Sequence, residues 1–170
     1  MAALNSRARA PRLTLSVQYA VAATSLPRAA TLRRWARAAL QRDARVTIRL
    51  VGAREARALN ARFRGKDYAT NVLAFVYDDA TPLSGDIVLC APVLRSEARA
   101  QHKALADHCA HLVVHGMLHL QGLDHDTARA ARAMEARETA LLSAFGIADP
   151  YAPGARPSAA AVRRAMNNDR

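Results

Sequence analysis

Three of the chain's six histidines, His115, His119 and His125, stand at H-x3-H-x5-H spacing in His115-Gly116-Met117-Leu118-His119-Leu120-Gln121-Gly122-Leu123-Asp124-His125. Residues four apart on a helix lie one above the other, so two imidazoles can reach one ion from a single face with little side-chain ordering left to do. Gly122 can take the left-handed conformation that ends a helix and turns the chain, which returns His125 toward the first two rings. Three neutral nitrogens around a divalent ion, with the fourth position open to water, describe a catalytic rather than a structural zinc site. His111 also precedes His115 by four residues, but a straight helix spreads three stacked residues over about 12 Å. His111 is therefore expected in the core or behind the ligands, with His108 before it on the same stretch and His102 at the surface.

The spacing H-x-x-x-H-x-x-G-x-x-H is shared with the metzincin peptidases, which carry glutamate directly after the first histidine as general base. Here that position is Gly116. Ligands without the base point to another hydrolysis, or to a carboxylate supplied from elsewhere. Asp86, in Ser84-Gly85-Asp86-Ile87, and Asp124, beside the third histidine, are the candidates, and each equally suits a partner that orients an imidazole.

Positioning such a set requires a folded domain, and the apolar periodicity outlines one. Leu13, Leu15, Val17 and Tyr19 alternate with polar residues as a half-buried strand. Leu32, Trp35, Ala36, Ala39 and Leu40 recur at helical spacing after Pro27, predicting a helix over 27–41 with an Arg-rich outer face. Trp35, the only tryptophan, suits core packing there. Val46, Ile48 and Leu50 read as a second strand, and Ala56, Leu59 and Phe63 as a short helix ending near Gly65. Val72 to Tyr77 and Ile87 to Cys90 are strands three and four, separated by turn residues. Pro92 then opens a helix, a second covers about 106–121, and a third about 128–145 with Thr127 as its N-cap. This order predicts an α+β fold, a four-strand mixed β-sheet packed with helices.

The chain of 170 residues fits one domain, with 51% hydrophobic and 23% charged residues, far from the profile of a disordered chain. Three segments emerge: a basic N-terminal extension over 1–12, the domain over 13–150, and a Pro-containing basic tail over 151–170 that is expected to fray. The net charge of +11 is uneven: residues 1–45 carry +8, 46–150 are neutral and 151–170 carry +3. Such ends suit an anionic partner, although 23 Arg against 2 Lys and 40 Ala also reflect compositional bias. Cys90 and Cys109 lack C-x-x-C spacing and read as small buried hydrophobes of a reducing compartment. The early alternation of polar residues argues against a secretory signal. The longest uncharged run, His108 to Leu123, is too short and too polar to span a bilayer, so a soluble protein without a membrane partner is expected.

Three blocks together resemble the YbeY family of bacterial endoribonucleases, which act in ribosomal RNA maturation: the histidine motif, Leu59-Asn60-Ala61-Arg62-Phe63-Arg64-Gly65-Lys66-Asp67 running into Thr70-Asn71-Val72-Leu73-Ala74-Phe75, and Gly85-Asp86-Ile87. The resemblance extends over about 13–150. It implies a zincin-like single-domain fold holding one Zn2+ ion, cleavage of single-stranded RNA, a cytoplasmic setting and association with ribosomes or small-subunit proteins. By motif position, His115, His119 and His125 would be the zinc ligands and Arg64 a functional arginine near the metal. The family commonly has Ser then Phe-Pro in the third strand, where this chain has Ala74, Phe75 and Val76. The rival readings are a zincin-type metallopeptidase and a non-catalytic ribosome-assembly factor that uses zinc only to hold its fold. Bond specificity, the attacking group, the metal loaded in the cell and the oligomeric state stay open at this point.

Overall fold

The computed structural model describes residues 8–152; most of the basic N-terminal extension and of the Pro-containing tail lies outside them. The element order is β1 (Leu13–Tyr19), α1 (Ala29–Ala38), β2 (Ala44–Val51), α2 (Ala53–Arg64), β3 (Val72–Asp78), β4 (Leu83–Cys90), α3 (Ala91–Ala100), α4 (Leu105–Leu120) and α5 (Ala128–Ser143). The four strands form one sheet in the order β1-β2-β4-β3, with β1, β2 and β4 parallel and β3 antiparallel along the edge. This is the expected mixed sheet.

Alternation along β2 explains the layering. Val46, Ile48 and Leu50 are buried on one face, with Ile87 and Leu89 of β4, against α1 and α4. A smaller cluster of Val51, Ala56, Leu73, Val88 and Cys90 sits on the other face under α2. Trp35 is buried in the larger core, as its spacing suggests, and both cysteines are buried and free. Helix α4 is enclosed on nearly all sides: every residue from His108 to Leu118 is buried. A helix so enclosed brings its histidines into the interior, where each polar ring atom needs a partner.

Two boundaries differ from expectation. Helix α1 starts at Ala29 rather than Pro27, whose carbonyl instead accepts a bond from the Tyr19 hydroxyl at 2.6 Å. Strand β4 starts at Leu83, because Leu83 to Asp86 pair with Ala44 to Thr47 of β2. Gly85 reads as a turn residue, yet it lies within the strand where a Cβ would stand 2.5 Å from the Phe75 carbonyl oxygen. Close approach of β3, not a turn, requires glycine there.

Candidate metal and substrate site

Helix α4 carries His115 and His119 one turn apart, and its end brings in the third histidine. Gly122 N–H bonds the His119 carbonyl at 3.1 Å and Leu123 N–H bonds the Leu118 carbonyl at 3.1 Å, with Gly122 at φ +100°. This pair of bonds is a Schellman ending, and it reverses the chain so that His125 returns beside the helix. The ring centroids form a nearly equilateral triangle: 6.5 Å for His115–His119, 6.0 Å for His115–His125 and 6.2 Å for His119–His125.

The triangle opens into a cleft whose other wall comes from α2 and the loop after it, including Asn60, Arg64, Lys66 and Tyr68, with β3 residues 72–74 at its edge. Helix α2 ends on Gly65 at φ +67°, and the Lys66 N–H bonds back to the Asn60 carbonyl at 3.3 Å. Asn60, itself buried, donates from Nδ2 to the Tyr68 carbonyl at 2.9 Å. That bond ties the loop to the helix and so keeps Arg64 and Lys66 on the same cleft. From outside, Arg57 grips Asp67 through two bonds of 2.7 and 2.9 Å, which hold the Asp67 carboxyl below its ordinary range. Among the described residues lining the cleft there is no carboxylate.

Behind the cleft lies a carboxylate that sequence reasoning misses. Glu138 of α5 is fully buried; its Oε1 meets His115 Nδ1 at 2.6 Å, and its Oε2 meets His111 Nε2 at 3.0 Å and the Tyr151 hydroxyl. Burial pushes the Glu138 carboxyl up, but the bonds from His111 and His115 outweigh it and hold the group down to about 2. The signal is present in α5: Ala131, Met134, Glu138 and Leu142 form its buried stripe, a charge at an apolar position. Asp86 and Asp124, the acids that the sequence points to, do not line the cleft. Asp86 accepts from the Tyr77 hydroxyl at 2.7 Å, and Asp124 accepts from the Asp126 N–H at 3.3 Å. The carboxylate bonded to His115 is thus Glu138, 23 residues away in sequence. His111 sits behind the three cleft histidines, buried, and His102 is exposed.

The donor set suits a divalent ion. Burial, then the charges of His115, His125 and Arg64, depress the pKa of His119, which keeps its lone pairs available for ligation. Three imidazoles bound to one zinc at 2.0–2.1 Å have centroids about 5–5.5 Å apart, so the rings need to close by roughly 1 Å. As placed, no three His, Cys, Asp or Glu side chains among the described residues stand close enough together to hold an ion. Position 116 is tightly packed: a Cβ on Gly116 would meet Ile87 side-chain atoms at 3.1–3.2 Å, so a side chain there would need Ile87 to yield by a few tenths of an ångström.

Residues 20–146 match the family described as Endoribonuclease YbeY. A protein of that name from Aromatoleum aromaticum is 55% identical over 144 residues, covering 83% of this chain and 94% of its own length. One from Thiobacillus denitrificans is 54% identical over 144 residues, covering 84% and 98%. Another, from Azoarcus sp., is 55% identical over 156 residues; the match covers 85% of this chain and 62% of that longer protein. The solution structure of TM1509 from Thermotoga maritima, 22% identical, shares the fold with a TM-score of 0.52 over 82% of this chain and 100% of that one. With the family match spanning most of the described residues and relatives above half identity, the chain belongs to the YbeY endoribonuclease family.

Proposed function

We propose that the chain is a zinc-dependent endoribonuclease that cleaves single-stranded RNA in the cytoplasm. In this reading it matures the 3′ end of 16S ribosomal RNA, takes part in ribosome quality control and associates with the ribosome or small-subunit proteins. One observation carries the chemical part: a single cleft combines three imidazoles, Arg64 and Lys66, with no carboxylate among its described lining residues. A phosphodiester brings negative charge to be offset, whereas a zincin-type peptidase needs a carboxylate base, and residue 116 is glycine with no carboxylate among the described lining residues. Relatives named as endoribonucleases support RNA as the substrate. The ribosomal role rests on the sequence resemblance.

His115, His119 and His125 would hold the ion, which when bound supplies Lewis acidity that acidifies water and polarises a phosphoryl oxygen. Arg64 faces the cleft with a planar fork that matches two non-bridging phosphate oxygens, and it offsets the charge that grows on them in the transition state. Lys66 adds a point charge on the same wall. Trp35 is buried in the core and does not reach a base, while Arg64 and Lys66 stand with Tyr68 in the cleft wall to meet the phosphates.

The test joins metal analysis of the purified protein with cleavage of matched single- and double-stranded RNA. The expected result is one zinc per chain, cleavage of the single strand only, and a loss of about 10²–10³-fold in kcat for Arg64→Ala with zinc retained. Zinc-loaded protein that cuts neither RNA, or that is indifferent to Arg64→Ala, overturns the reading.

A further inference from the structure

Glu138 and Tyr151 stand outside the cleft, and neither belongs to the ligand set proposed above. Yet Glu138 is bonded to a ring of that set, and its own orientation is fixed from three sides: His115, His111 and the Tyr151 hydroxyl. Tyr151 reaches it from beyond the end of α5. Its N–H donates to Asp149 Oδ1 at 2.8 Å, and the Thr139 hydroxyl donates to the same oxygen at 3.1 Å. The segment 149–151 is thus anchored on two consecutive residues of α5, Glu138 and Thr139. The Tyr151 ring packs edge-on against His111 with centroids 5.5 Å apart, and its hydroxyl lies 3.1 Å from His111 Nε2.

The consequence for His115 is chemical. An ionised carboxylate only accepts, so the bond at 2.6 Å places the neutral ring's proton on Nδ1 and leaves the lone pair on Nε2. Because His115 lines the cleft with Nδ1 taken, Nε2 is the atom it offers there. We propose that Glu138 is a positioning residue that fixes the tautomer and ring orientation of His115, and that Tyr151, carried by the chain after α5, fixes Glu138. The segment 149–151 is then a strut of the site. The outer carboxylate raises the basicity of the ligand nitrogen as well as aiming it. The affinity part of this inference rests on the metal reading; the tautomer part does not.

Two variants test it in the full-length protein. Glu138→Gln keeps shape and removes the charge, and Tyr151→Phe keeps the ring against His111 and removes the hydroxyl. Nitrogen-15 spectra of the metal-free protein report the His115 tautomer, and competition with a chromophoric chelator reports zinc affinity. Wild type should show His115 protonated on Nδ1 alone. Glu138→Gln should give a mixture of tautomers and weaken zinc binding about 10–100-fold, and Tyr151→Phe should weaken it about three- to tenfold. Unchanged tautomer and affinity in both variants overturn the proposal. Should Glu138→Gln fail to fold, Tyr151→Phe decides by the same two readings. A wild type that takes up no zinc overturns the function proposed above, while the metal-free spectra still decide the role of Glu138.

Discussion

Two histidines of helix α4 pair with glutamates of neighbouring helices, one half-buried and one buried, in different surroundings. Near its start, His108 Nε2 meets Glu97 Oε2 at 2.7 Å, and the same carboxylate accepts from Asn71 Nδ2 at 3.1–3.2 Å. That cluster ties α3, α4 and the approach to β3 together. His108 is fully enclosed, and its Nδ1 is buried without a hydrogen-bond partner among the described residues. Two turns later His115 Nδ1 meets Glu138 at 2.6 Å, but the ring borders a cleft where two more imidazoles and two cations converge. A buried imidazole–carboxylate pair is therefore not by itself a site. What makes one is a second ring nitrogen turned toward accessible space and the convergence of further donors on that space.

The comparison is broken most sharply by exchanging the damage. His119→Ala should abolish zinc retention and reduce RNA cleavage about a thousandfold or more, while shifting the stability of the metal-free protein by under about 1 kcal/mol. His108→Ala should do the reverse. It removes the His108 partner of the Glu97 carboxylate, which keeps only its Asn71 bond, and leaves a gap where an enclosed ring stood, at a cost of about 1–3 kcal/mol, with cleavage per folded molecule unchanged. Denaturant midpoints beside cleavage rates decide, and a His108 variant of normal stability or impaired chemistry would erase the distinction.

A smaller effect tests the turn that brings His125 back beside α4. Gly122 and Gly146 both hold positive φ, +100° and +71°, and at each a Cβ would point into open space. Alanine at either should cost about 1–2 kcal/mol from left-handed strain. Only Gly122→Ala should also weaken zinc binding, because only that turn aims His125 at the α4 rings. Equal zinc affinity in the two variants would show that the Schellman ending supports the fold and not the ligand.

Much of this is legible in the chain. Four-residue spacing places His115 and His119 on one helix face, and Gly122 marks the reversal, because both follow from local backbone geometry. The strands are legible where apolar residues alternate, as in Leu13 to Tyr19, and less so in β4, where Ser84 and Gly85 imitate a turn. Glu138 escapes a sequence reading because its contact with His115 spans 23 residues and depends on how α5 packs on α4. Asp86 and Asp124 stand out instead because they adjoin recognisable motifs, and adjacency in sequence carries no information about which way a tertiary contact falls. The prolines around Tyr151 suggest a tail, although Asp149 and Thr139 hold that segment against α5.

The two cysteines give the finest reading of the difference, because both lie beside the enclosed pair. Cys109 follows His108 on α4, and the Cys90 N–H bonds the Asn71 carbonyl at 2.9 Å. Burial pushes the Cys90 thiol up and the Cys109 thiol up to about 12. At pH 8 a thiol of pKa about 12 is ionised in roughly one molecule in ten thousand, and the thiolate is the form that reacts. Labelling of native protein should accordingly be slow at pH 8 and faster as the pH is raised. His119→Ala should leave that rate unchanged, since it alters the cleft and not the packing around Cys109. His108→Ala should raise it at fixed pH by loosening the enclosure. Equal acceleration in both variants would mean that the cleft histidines hold the interior together as His108 does, and the line drawn between the two pairs would have to be given up.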